Sequence, residues 1–223
     1  MKHQFVICAC WYFFTAISSA AEHRIESLEE PVPTDQISTE IANSLASEGI
    51  SVFRGSTRRI CDIWLCKQWS VKSFDTGSDT NYPFVPGQLI GVARYVRKGS
   101  DFRDQDIGKG VYTLRYAQQP VDGAHVGTSP TRDFLLLTEA SKDRSPVVLD
   151  YETLTQNSAE AAGSSHPCLL SLQRLNDGSK AIPSIHKLTN NEWWVVRMQS
   201  QAKVSGDTKN LKVDLVVVGH AAE

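Results

Sequence analysis

GVYTLRYA, residues 110–117, is the stretch that decides the fold. Tyr112, Leu114 and Tyr116 fall on one side of an extended chain, with Thr113 and Arg115 on the other. A two-residue period places apolar and polar side chains on opposite faces of a strand, whereas a helix repeats every 3.6 residues. A polar stretch with Gly and Pro follows, QQPVDGAHVGTSP at 118–130, and then DFLLLT at 133–138. The pattern predicts two strands joined by a polar loop, with Arg132-Asp133 returning beside the end of the strand that carries Arg115.

The same signature recurs outward in both directions. RRICDIWLCK (58–67), QLIGVARYV (88–96), PCLLSLQ (167–173), WWVVRMQS (193–200) and LKVDLVVVG (211–219) are short, rich in β-branched or aromatic residues, and bounded by Gly, Pro, Asn or Asp. Two segments read as helices. Thr34-Asp35 offers a cap, Ile37, Ile41 and Leu45 recur every four residues, and Gly49 is a stop, predicting about three turns. YETLTQNSAEAA (151–162) ends at Gly163. About seven strands without strand–helix alternation predict a mainly β fold, an antiparallel β-sandwich or jelly roll with one or two short helices. Polar loops at 73–87 and 97–109 are long enough to be functional or mobile.

Lys2 and His3 precede thirteen uncharged residues, Phe5 to Ile17, and then the small residues Ser18-Ser19-Ala20-Ala21. That order is the pattern of a secretory signal peptide, shorter than the roughly 20 apolar residues of a membrane span. The expected organisation is a signal peptide at 1–20, an acidic, proline-bearing lead-in or tether at 21–33, and one β-sandwich domain at 34–223. Export to the periplasm or the exterior follows, with no transmembrane segment in the mature chain. Without residues 1–20 the chain carries 22 basic and 25 acidic side chains, scattered rather than clustered, which argues against nucleic acid as a partner.

Cys61, Cys66 and Cys168 remain after processing, too few for a disulfide framework. Along one strand Cys61 and Cys66 would lie roughly 16 Å apart on opposite faces, beyond the Cα separation of about 7 Å that a disulfide tolerates. Cys168 could pair with either one, but burial as small apolar residues is the plainer expectation.

Polar chemistry concentrates at 115–133, with Arg115, Gln119, Asp122, His125, Arg132 and Asp133 as candidate binding residues. Asp122 can orient His125 as a base, the two candidate catalytic groups, although turn chemistry accounts for most of the segment. No cofactor motif is present. A divalent metal would need His125 with His166 across adjoining strands, and a zinc site generally requires a third ligand. Asp75, Asp79 and Asn81 are spaced as calcium would accept but lack the acidic closing residue of an EF-hand. Asp101, Arg103, Asp104 and Asp106 read as local charge pairing. Cys168 and His166 share a strand face, a conceivable nucleophile pair. Trp193-Trp194 directs one indole to the core and leaves one for a surface.

The run DIGKGVYTLRYAQQPVDGAHVGTSPTRDFLLL at 106–137 resembles a group of uncharacterised exported bacterial proteins that share a G-x-Y-T-L-R-Y…Q-P-x-D-G-x-H-x-G…R-D-F-L-L segment. DIWL at 62–65, LIGVARY at 89–95 and His166-Pro167 are similar to shorter pieces of that pattern. The resemblance implies export and a β-rich fold, carries no reaction, and adds interest to Gln119, Asp122, His125, Arg132 and Asp133. The reading that follows is an exported, non-enzymatic binding module for a protein or small-molecule ligand. The alternative is a metal-dependent or His/Asp hydrolase with its site at 117–133.

Overall fold

The computed structural model describes residues 22–76, 80–120, 131–176 and 181–221. Its elements begin β1 His23–Leu28, α1 Thr39–Ser44, β2 Gly49–Arg54, β3 Arg58–Leu65, β4 Gln68–Ser70 and β5 Leu89–Tyr95. They continue with β6 Gly99–Ser100, β7 Asp106–Ile107, β8 Gly110–Gln118, β9 Asp133–Glu139 and α2 Tyr151–Ala162. β10 Leu169–Gln173, β11 Ser184–Leu188, β12 Trp193–Val204 and β13 Asp207–Val218 complete the chain.

The expected mainly β fold is what forms. One sheet runs β1-β2-β3-β5-β8-β9-β10-β13-β12-β11, its ladders antiparallel, with β4 added to β12 in parallel; β6 and β7 make a separate small pair. The sheet curls until its halves face each other over a shared apolar core, in the manner of a sandwich. Residues 66–71 stitch the halves together. Ser200 Oγ donates to the Cys66 carbonyl at 2.6 Å, the Val71 N–H to Lys203 at 3.0 Å, and the buried Trp69 indole N–H to Ile90 at 3.0 Å. Trp69, Phe84, Tyr82 and Tyr116 form a chain of ring contacts across that core.

β8 is buried on both faces because each is covered. Tyr112, Leu114 and Tyr116 enter the shared core, while Thr113, Arg115 and Ala117 face outward beneath residues 141–150 and α2. α2 has the predicted bounds: the Asp150 carboxylate accepts from the Thr153 N–H at 2.9 Å, and Gly163 ends the helix in the left-handed region at φ 59°. β12 and β13 form a long hairpin turning on Ser205 and Gly206, both at positive φ, the backbone a tight two-residue turn requires.

Two expectations differ from what forms. The helix predicted from Thr34 is only the six residues of α1, capped by Ser38, whose hydroxyl accepts from the Ile41 N–H. Leu45 has already left helical geometry to make an isolated bridge with Cys66. Ile37, Ile41 and Leu45 are all buried nonetheless, so their spacing reports coverage of the sheet rather than three helical turns. The lead-in is the second difference. Residues 23–28 pair with β2 in full register, from His23 opposite Arg54 to Leu28 opposite Gly49. Their charges suit an edge strand with one solvated side. Residues beyond β1 then cross the outer face of β3, burying Val32 and accepting the Trp64 indole N–H at the Glu30 carbonyl, 2.9 Å.

The three cysteines are free and buried, as small apolar residues of the interior. Burial raises all three thiols, Cys66 to about 12, so none offers a ready thiolate. Among the described residues no helix is long and apolar enough to cross a membrane.

Candidate binding cleft

The outer face of β8, β9 and β10 is the ground on which the site is built. Register pairs Arg115 with Leu136 and Ala117 with Phe134, and places Leu169 of β10 opposite Leu136. At mid-strand this face is sealed. The fully buried Arg115 gives Nε and one terminal nitrogen to the two oxygens of Asp143 at 2.5 and 2.8 Å. Its remaining N–H groups reach the carbonyls of Gly87, Val147 and Ser145 at 2.5–2.8 Å. Thr113 adds a hydroxyl to Asp143 at 2.5 Å. All five guanidinium N–H groups are therefore consumed in pinning residues 143–147 over the strand.

Towards the far end of β8 the cover parts, leaving a cleft of about 670 Å³ floored by Ala117, Phe134, Leu136 and Leu169. α2 supplies one wall through Tyr151 and Thr155. The opposite wall is the turn carrying Phe102, Arg103 and Asp104. That turn is held by the buried Asp101, whose carboxylate accepts from the N–H groups of Arg103, Gln105 and Leu169 at 2.8–3.0 Å. Phe102 packs edge-on against Trp193, and its carbonyl accepts from the Ala221 N–H at 2.9 Å. Gln118–Pro120 close one end, while His166-Pro167 and His220-Ala221 complete the rim. The outcome is a hydrophobic floor with a rim of amide, imidazole, guanidinium and phenol groups. Such a lining binds an apolar body and orients a polar head.

The candidate residues named from sequence divide sharply. Arg115 is structural cement, every N–H already taken. Asp133 is likewise buried, accepting from the Tyr116 hydroxyl at 2.6 Å and the Asn81 N–H at 2.9 Å on the core side. Arg132 donates twice to the Gln119 carbonyl, at 2.9 and 3.0 Å, and its own carbonyl accepts from the Gln119 N–H, tying β8 to β9 where the 121–130 segment leaves and returns. Gln119 and His166 both line the cleft, brought together because β8, β9 and β10 are neighbours. Asp122 and His125 lie outside the described residues, as does part of the Asp75–Asn81 loop. The charge pairing expected of Asp101, Asp104 and Asp106 with Arg103 does not form among the described residues: Asp106 pairs with Lys98 at 2.6 Å instead, and Asp101 accepts from backbone N–H groups and the Gln105 side chain. Cys168 is buried while His166 is exposed, so the two do not form an accessible pair. Trp193 is core; Trp194 is half-buried against the His23 ring at 4.9 Å. Among the described residues no three His, Cys, Asp or Glu side chains gather into a metal-holding group.

Phe102, Tyr151 and Thr155 were not singled out by the sequence, and Arg103 was read only as part of local charge pairing in the 97–109 loop. Only Tyr151, an aromatic in the first turn of a polar helix and 57% exposed, carried a usable signal. Comparison of the chain with protein-family models, with curated proteins and with solved structures gives no match.

Proposed function

We propose that this protein is an exported binding module that holds an amphipathic small molecule in the cleft between α2 and the 101–104 turn. The order of residues 1–21 supports export. The observation that carries the binding reading is the cleft itself: its 670 Å³ falls in the roughly 300–1,000 Å³ range of small-molecule sites, with an apolar floor and convergent polar rim. The ligand's apolar body lies on Phe134, Leu136 and Leu169, and its head meets Gln119, His166 and Arg103 at the rim.

The test uses anilinonaphthalene sulfonate as a fluorescent reporter, with medium-chain fatty acids as competitors. The folded protein binds the dye saturably at one site and the competitors displace it. Thr155→Trp, which fills the cleft from the α2 wall, weakens dye binding by about tenfold or more without lowering the melting temperature. Dye binding that does not saturate, or that survives Thr155→Trp unchanged in a folded protein, overturns the reading.

A further inference from the structure

A second pocket opens on the same outer face at the other end of β8, roughly 25 Å along the strand from the cleft. It encloses about 370 Å³ between the sheet and the segment that crosses it, with Arg59, Arg94 and Lys109 on its walls and Glu30 and Gln36 on the crossing segment. A bulge in β3 makes the arrangement possible. Val52 pairs with Cys61 and Phe53 with Arg59, leaving Ile60 as the extra residue. Without it Arg59 and Asp62, three positions apart, would point to opposite faces; with it both point outward beside Arg94, which pairs with Asp62 from β5.

The fully buried Asp62 carboxylate then locks both arginines by their Nε atoms, Arg59 at 2.6 Å and Arg94 at 2.7 Å. Ser51 braces the group, donating to Asp62 at 2.7 Å and accepting from one Arg59 terminal nitrogen at 2.8 Å. Arg94 is further fixed over the Trp64 ring at 5.3 Å. Among the described residues, both terminal nitrogens of Arg94 and the second one of Arg59 have no protein acceptor, and no carboxylate forms an ion pair with Lys109. These nitrogens are not among the buried unsatisfied atoms, so solvent reaches them. One buried carboxylate is shared between two guanidinium ions, an ammonium stands beside them, and Glu30 is the other carboxylate of the lining, so three cations against two anions leave the pocket net positive with donors unspent.

We infer that this pocket binds a phosphate dianion, free or as the monoester of a small molecule. A tetrahedral dianion can take donors from two immobilised guanidinium forks and an ammonium at once, and groups held in place beforehand lose little entropy on binding. The proposal is independent of the cleft.

The test is calorimetric titration of the full chain with inorganic phosphate and with glycerol 3-phosphate at low ionic strength, against chloride at matched ionic strength. Saturable binding of phosphate, weakened about tenfold or more in Lys109→Gln and unaltered in Arg103→Gln at the cleft, is the expected result. Tighter binding of the monoester than of inorganic phosphate identifies an esterified ligand; the reverse identifies the free ion. Arg94→Gln should abolish binding, but it also disturbs Asp62, so the exposed Lys109 carries the decision. Heat no greater than that of chloride, or phosphate affinity unchanged in a folded Lys109→Gln, overturns the inference.

Discussion

Asp143 and Asp62 are both buried carboxylates that hold arginines on the outer face of the sheet. Asp143 holds Arg115, whose five N–H groups all end on protein acceptors and which water does not reach. Asp62 holds Arg59 and Arg94, whose side chains stay 29% and 22% exposed with terminal nitrogens unspent. The ion-pair chemistry is the same and only the count of remaining donors differs. The first arrangement fastens residues 143–147 to the sheet; the second leaves directed positive charge in a pocket. A buried salt bridge marks a potential site when its donors outnumber its acceptors, and a structural joint when they balance.

Substitutions that break each group separate the two. Asp143→Ala leaves a fully buried guanidinium unpaired and should cost about 3–5 kcal/mol in urea denaturation. Replacing both partners, Arg115→Met with Asp143→Leu, should recover only part of that loss, because the Gly87, Ser145 and Val147 carbonyls and the Thr113 hydroxyl lose their partners. A single substitution costing under about 1 kcal/mol would show the joint to be solvated rather than sealed. Asp62→Ala should cost less, about 1–3 kcal/mol, since Arg59 and Arg94 can turn towards water, and it should weaken phosphate binding by loosening both forks. An Asp62→Ala loss equal to that of Asp143→Ala would erase the distinction.

His23 adds an effect of intermediate size. Burial and the neighbouring Arg54 lower its pKa from 6.5 to about 4. As pH falls below 6.5 the unfolded chain takes up a proton that the folded chain refuses until about 4, so folded stability is lost across that window and is intact above it. Melting temperatures between pH 7 and 4 should fall less steeply in His23→Phe than in the parent protein; parallel curves would remove His23 from the account. The smallest effect belongs to Lys109→Gln, within about 0.5 kcal/mol of parental stability despite its loss of phosphate binding.

β8 was legible because its apolar and polar residues alternate in a two-residue rhythm, and β9 because it is a short apolar run, Phe134 to Leu137, between polar residues. α2 was legible from its helix-forming residues and its glycine stop. β1 was not, because an edge strand with one solvated side keeps its charges, and HRIESL beside two prolines resembles a tether. The cleft was legible only at Gln119 and His166. Its walls come from α2, the 101–104 turn and the chain after β13, which no sequence spacing connects. Arg115 and Asp133 drew attention as polar residues next to a polar loop. Their roles depended on Asp143, Tyr116 and Asn81, whose proximity only the folded chain supplies.

The approach of β1 to the far end of the sheet bears on how this protein behaves in company. An open sheet ends in two rows of unpaired N–H and C=O groups, each a template for another chain. Here the curl turns the two terminal strands, β1 and β11, towards one another, and His23 and Trp194 meet ring to ring across the gap, although no ladder joins the two strands. Each margin thus shields the other from strand addition by a second copy. Removing residues 22–28 would expose the backbone of β2 along its length, and the first symptom of that truncation should be concentration-dependent aggregation, ahead of any loss of the core.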